Sequence, residues 1–200
     1  MIRALVLLVL LSGCSMFETK EVPRLATGRI TSDFGSYDLR RVGLLPMATE
    51  GEESEGDDAL EEAFHAELVA ATGLEVVRLT ADDLLEVKGL EPFRRGSYPA
   101  QTLLELRRRF LLDALAVGAV STRRVVPPQR LGVQLDLVSC ETGATIWSAN
   151  ILLDAGDRRT RDALESWSEA YTELDGGVDL VMLSPRRFAR FAAWQLMQLL

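Results

Sequence analysis

The groups that do chemistry in proteins are unevenly supplied in this chain: one histidine, two cysteines and 30 carboxylates. Cys14 directly follows Leu11, Ser12 and Gly13. Small residues ahead of a thiol suit a signal-processing site, and the thiol itself is a group that can be acylated. With Cys14 acylated, Cys140 is a lone cysteine and no internal disulfide is available. It is expected as a semi-buried thiol in a turn rather than a nucleophile. His65 falls one step off the apolar stripe of a helix and is expected as a boundary residue rather than a metal or catalytic group. The carboxylates gather on helix exteriors and in the run from Glu50 to Asp58, which has six acidic residues and two glycines. That run lacks the ligand spacing of an EF-hand and is expected as a solvated loop. Hydrolysis of an envelope polymer needs paired carboxylates or an activated nucleophile. The chain has no Gly-x-Ser-x-Gly elbow, no His-Glu-x-x-His and no phosphate-cradling glycine loop. The expectation is a protein that is not an enzyme, with no metal and no cofactor. A hydrolase is the least favoured alternative.

The surroundings of Cys14 follow a strict order. Arg3 comes first, then an unbroken apolar run from Ala4 to Leu11, then the small residues. The run is less than half of the about 20 residues that a bilayer-spanning helix needs. The arrangement resembles the bacterial lipoprotein signals that are cut just before a cysteine whose thiol receives diacylglycerol. Residues 1–13 are then a signal peptide and Cys14 is the lipidation site. In such lipoproteins an Asp after the cysteine tends to retain the protein at the inner membrane. Ser15 in that place therefore implies the outer membrane, facing the periplasm, with the inner membrane as the lesser alternative. One acyl chain holds a protein only marginally, whereas the two or three that the resemblance implies hold it stably. No second apolar run approaches the length of a spanning helix. The formal charge is −8, and loss of Arg3 with the signal makes the body one unit more acidic. That balance argues against nucleic acid as a partner and against lying flat on anionic lipid.

The elements that would position these groups can be read from periodicity. Residues 14–40 read as the lipidated cysteine, a tether and a loosely ordered lead-in, and residues 41–200 as a single α/β domain. Arg41–Met47, closed by Pro46, reads as a buried strand. Asp57 or Asp58 starts a helix to about Thr72 with Leu60, Ala63, Phe64, Leu68 and Ala71 inward, and Gly73 ends it. Leu74–Leu79 is a strand, and Thr80-Ala81-Asp82-Asp83 is a capping-box start for a short helix to about Val87. Residues 89–98 are a loop. Pro99 opens a helix to about Leu112 with Leu103, Leu106, Phe110 and Ala114 on one side and the solvated run Arg107–Arg109 outside. Leu115–Val126 is β-like and Pro127-Pro128 breaks it. Leu131–Leu137 and Thr145–Ile151 alternate as antiparallel strands around a tight Glu141-Thr142-Gly143 turn. A helix spans Arg158 to about Tyr171, and Gly176-Gly177 marks an irregular crossing. Ser184 and Pro185 start a final helix with Phe188, Phe191, Ala192, Leu196 and Leu199 inward and Arg186, Arg187 and Arg190 opposite. Trp194 and Met197 fall outside that stripe and are candidates for a partner contact. The fold class is α/β (α+β): a small mixed sheet with an antiparallel meander, helices packed against it and a C-terminal helix.

Three segments together resemble a broad superfamily. They are the strand ending in Pro46, Asp113-Ala114 with Gly118 and Val120, and the hairpin from Leu135 and Leu137 through Thr142-Gly143 to Trp147. The superfamily contains the curli-secretion lipoproteins, the LpoB-type activators of penicillin-binding proteins and the amino-terminal domain of TolB. The resemblance covers residues 41–155, and Cys140 replaces the Asp common before the turn. It implies a small α/β sandwich whose members are mostly envelope assembly factors. It carries over no active site, because these residues build the fold: Thr-Gly makes a turn and Trp147 fills the sheet–helix interface. The expected function is a lipid-anchored, non-catalytic assembly or regulatory adaptor. Its partners would be the membrane, through Cys14, and an envelope protein. Expected contact surfaces are residues 50–58, 89–98 and the outer face of the last helix. The alternative is a subunit of a curli-type secretion pore, for which residues 131–139 and 144–153 approach the length of a transmembrane hairpin.

Overall fold

A computed structural model describes residues 21–49, 58–85, 87, 99–171 and 177–200. Its strands are β1 (Thr27–Ile30), β2 (Arg41–Leu44), β3 (Ala48–Thr49), β4 (Glu75–Arg78), β5 (Ala114–Arg124), β6 (Arg130–Ser139) and β7 (Thr145–Asp154). Its helices are α1 (Asp58–Thr72), α2 (Ala81–Leu84), α3 (Ala100–Phe110), α4 (Arg158–Ala170), α5 (Gly177–Leu183) and α6 (Pro185–Met197). The strands join one sheet in the order β1-β7-β6-β5-β2-β4, with β3 pairing β5 off that path. β2 lies parallel to β4 and β5, and the β5-β6-β7 meander with β1 is antiparallel. The expected mixed sheet, meander, covering helices and C-terminal helix are all present.

Alternation in the meander decides which face is covered. Leu131, Val133, Leu135 and Leu137 of β6 stand opposite Leu153, Ile151, Ala149 and Trp147 of β7, and all are buried. They join Leu60, Phe64, Leu68, Leu164, Trp167, Phe188 and Phe191 in the main core under α1, α4 and α6. Each such Leu or Phe contributes about 1.5–3 kcal/mol by leaving water. A second cluster lies on the other face, where Leu103 and Leu106 of α3 meet Leu115, Val117, Val138 and Cys140. Trp147 fills the sheet–helix interface as expected, and its Nε1 donates to the Leu199 carbonyl at 2.9 Å.

Several sequence expectations are corrected. Residues 21–40 are not a loosely ordered lead-in. β1 pairs the free edge of β7, and buried Gln195 clasps the lead-in backbone, its Oε1 accepting from Leu25 N and its Nε2 donating to the Pro23 carbonyl, both at 2.9 Å. All four β1 residues are exposed, so no apolar alternation announces the strand. Gly177, at φ +65°, opens helix α5 instead of an irregular crossing. Ala114 is the first residue of β5, not part of a helical stripe, because Leu111 ends α3 in a left-handed conformation. Ala71 is exposed, and Val125 and Val126 lie beyond β5 in an exposed turn. α2 is shorter than expected, but its Thr80–Asp83 capping box is formed.

Candidate functional site

The surroundings of each reactive group decide what it can do. Cys140 is 2% exposed, so it is buried rather than semi-buried. Burial pushes its thiol up to about 12, and a thiol protonated at neutral pH is not a nucleophile. His65 Nε2 lies 3.1 Å from the Val76 carbonyl. β4 is an edge strand, and the imidazole of α1 covers one of its backbone acceptors. The carboxylates near the sheet are engaged structurally. Asp113 Oδ2 accepts from the backbone N–H groups of Arg40 and Arg41, both at 2.9 Å. Glu61 accepts from Met47 N at 2.9 Å, and Asp157 caps α4 through Thr160 N. Asp83 is held below its usual range by the backbone and side chain of Thr80. Among the described residues no three His, Cys, Asp or Glu side chains form a group that could hold a metal ion.

The expected contact surfaces fare differently. Cys14, residues 50–57 and residues 89–98 lie outside the described residues. The outer face of α6 is not a free surface. Arg186 pairs with Glu62 at 2.7 Å and Arg190 with Glu67 at 3.0 Å, so α1 covers that side. Met197 is buried, and Trp194 packs among Trp167, Tyr171 and Phe191 with its Nε1 donating to the Tyr171 hydroxyl. Helical spacing placed Trp194 and Met197 outside one stripe. α6 nevertheless packs on nearly all sides, since α1, α5 and the sheet all meet it.

Beyond α3, the second face of the meander carries a partly exposed polar row among the described residues. On it the register aligns Gln134 with Asn150 and Asp136 with Ser148, and carries the row on to Thr27 of β1. Gln134 Nε2 donates to both oxygens of Asp136 at 3.1 and 3.2 Å, the Ser148 hydroxyl donates to Asp136 at 2.5 Å, and Thr27 donates to Asn150 at 3.1 Å. No described helix packs on this ladder, and Leu152 stands exposed beside it. Ser148 and Asp136 do not make a hydrolytic site with His65. The imidazole is bound at β4, four strand spacings from β7, or about 19 Å. A cleft of about 490 Å³ lies at the β6–β7 turn, lined by Tyr37, Asp38, Arg107, Asp113, Glu141 and Thr142 among others. The arrangement offers hydrogen-bond recognition over a flat sheet face with a polar cleft at one end. The signal was present in the sequence as the polar half of the Gln134–Leu137 alternation.

No protein-family model and no curated protein matches the chain. Solved structures do. The chain is similar to the PelC dodecamer from Paraburkholderia phytofirmans at 20% identity, covering 73% of this chain and 93% of that one, with a TM-score of 0.46. It is similar to the lipoprotein GNA1162 from Neisseria meningitidis at 16% identity, covering 57% and 79%, with a TM-score of 0.39. It is also similar to the LpoB C-terminal domain from Salmonella enterica at 17% identity, covering 58% and 84%, with a TM-score of 0.39. The LpoB type of domain named by the three-segment resemblance is among the structures this chain is similar to.

Proposed function

We propose that this chain is a lipid-tethered envelope protein, anchored through Cys14 at the outer membrane and facing the periplasm, that binds an envelope protein as a non-catalytic assembly or regulatory adaptor. The observation that carries the adaptor reading is the partly exposed hydrogen-bonding ladder of the meander, Gln134–Asp136–Ser148–Asn150, in a domain whose imidazole and thiol are committed to structure. A satisfied polar ladder beside an exposed Leu152 suits recognition of a protein surface better than turnover of a substrate. The pore alternative is less well supported. The apolar residues of β6 and β7 form the core under α1, α4 and α6, and sending that hairpin into a bilayer would expose the core. No helix among the described residues is long and apolar enough to cross a membrane.

The test is a crosslinked pull-down from solubilised envelope. A stable protein partner lost in Asp136→Arg, with the fold unchanged, is the expected result. Recovery of monomer alone in every preparation would sink the adaptor. A ring-sized species by light scattering would instead favour the pore. The anchor is read separately by intact mass, since Cys14→Ser should lose the acyl mass and leave the membrane fraction.

A further inference from the structure

Several of the exposed apolar side chains lie together at one end of the sheet. Val125, Val126, Pro127 and Pro128 form the turn between β5 and β6, and Val126 is 68% exposed. Behind the turn, Gln129 Nε2 donates to the Met182 carbonyl at 2.7 Å, which brings the last residue of α5, Leu183, to the same end with 60% exposure. A single exposed apolar residue is ordinary, whereas an apolar turn joined by a second apolar loop marks a contact.

The chain from Cys14 is tied toward the same end. Arg159, in the first turn of α4, donates to the Arg24 carbonyl at 3.4 Å. Just before that turn, a side-chain carbon at Gly156 would stand 3.8 Å from Pro128. Ten residues lead from Cys14 to Arg24 and span at most about 35 Å when fully extended. An acylated Cys14 therefore keeps this end within reach of the bilayer.

We propose that the Val125–Pro128 turn, with Leu183, rests in the headgroup–acyl boundary of the membrane as a second, non-covalent contact beside the lipid anchor. The inference rests on the proposed anchoring at Cys14. The contact is apolar rather than electrostatic. Arg130 pairs with Asp154 at 2.6 Å and Arg158 with Asp162 at 3.7 Å. Arg124 donates to the Pro128 carbonyl and Arg159 to the Arg24 carbonyl, so cationic groups also flank the turn, and lipid exchange distinguishes apolar insertion from attraction to anionic lipid. Two attachment points fix an orientation that an acyl anchor alone leaves free.

The full-length chain, its acyl mass first read by mass spectrometry, is reconstituted into phosphatidylethanolamine–phosphatidylglycerol vesicles with a bimane on Val126→Cys. Native Cys140 is buried and does not compete for label. The expected result is a blue shift and quenching of about twofold or more by shallow nitroxide lipids. A bimane on Glu141→Cys, at the far turn of the meander, stays water-like. Replacing the phosphatidylglycerol with phosphatidylcholine leaves the Val126 signal in place. A vesicle-bound, acylated chain whose Val126 probe is quenched no more than the Glu141 probe overturns the inference and leaves the anchor standing. Quenching that vanishes without anionic lipid also overturns it. Absence of acyl mass sinks the anchor instead. The Val126 probe then decides this inference by itself, since quenching supports it and a water-like signal overturns it.

Discussion

Cys140 shows how burial alone retires a reactive group. Its thiol lies between sheet and α3, and desolvation raises it from 9.0 to about 12, against a smaller opposing pull from Arg107. The unfolded chain therefore loses this proton before the folded one as pH rises. Stability from the neutral buried thiol is full below about pH 9 and is lost as pH climbs toward 12, by up to about 1.4 kcal/mol per pH unit. Urea midpoints of the native chain and Cys140→Ala, compared at about pH 8 and about pH 10.5, should show the larger alkaline loss in the native chain. Equal losses would remove the buried-thiol account. His65 and Asp113 follow the same logic without titration. Each spends its polar atoms on backbone groups, at the β4 edge and the start of β2. Their residue types were legible in the sequence, but their partners, 11 and 72–73 residues away, were not.

At the scale of the element, the loose Asp-Ala-x-x-x-Gly-x-Val pattern acquires a physical reason. Asp113, at the foot of β5, ties the amides of Arg40 and Arg41 where β2 begins, and five residues on Gly118 faces the main core. A Cβ at Gly118 would stand 1.9 Å from Met47 Sδ, and Met47 is itself buried. Gly118→Ala is expected to cost about 1–3 kcal/mol by overpacking. The same substitution in a Met47→Ala background should cost much less, and urea unfolding of the four proteins in that cycle reads the coupling directly. Additive costs would mean that Met47 is not the obstacle. The long periodic elements were legible because one face of each is buried: the α1 stripe through Leu68, the Thr80 capping box, and the alternation in β6 and β7. β1 and α5 were not, since β1 buries no side chain and α5 only Val181. Elements without a hydrophobic face leave no period to read.

At the scale of the whole molecule, α6 unites the domain. It packs on α1 and the sheet, and its Gln195, 1% exposed, bonds the lead-in across 170 and 172 residues of sequence. Gln195→Ala strips partners from a backbone N–H and a backbone carbonyl and should lower stability by about 2 kcal/mol. Amide exchange should rise first at Leu25 while β6 amides keep their protection, and uniform loosening of the sheet would count against this clasp. The proposed anchor gives the clasp a function, since it passes the position of the tether on to the packed domain. By itself the sequence determined the mixed α/β class, the covered face of the meander, the absence of common hydrolase motifs and the lipoprotein-like signal before Cys14. All of these rest on local spacing or on residue type. Only the tertiary structure decided that the outer face of α6 is covered by α1, that Cys140 is sealed, that no described helix packs on the polar ladder of β6 and β7, and that Val125, Val126 and Leu183 stand exposed at one end of the sheet. Those outcomes depend on which distant surfaces meet, and a periodic pattern specifies that a face must be buried without naming the face that buries it.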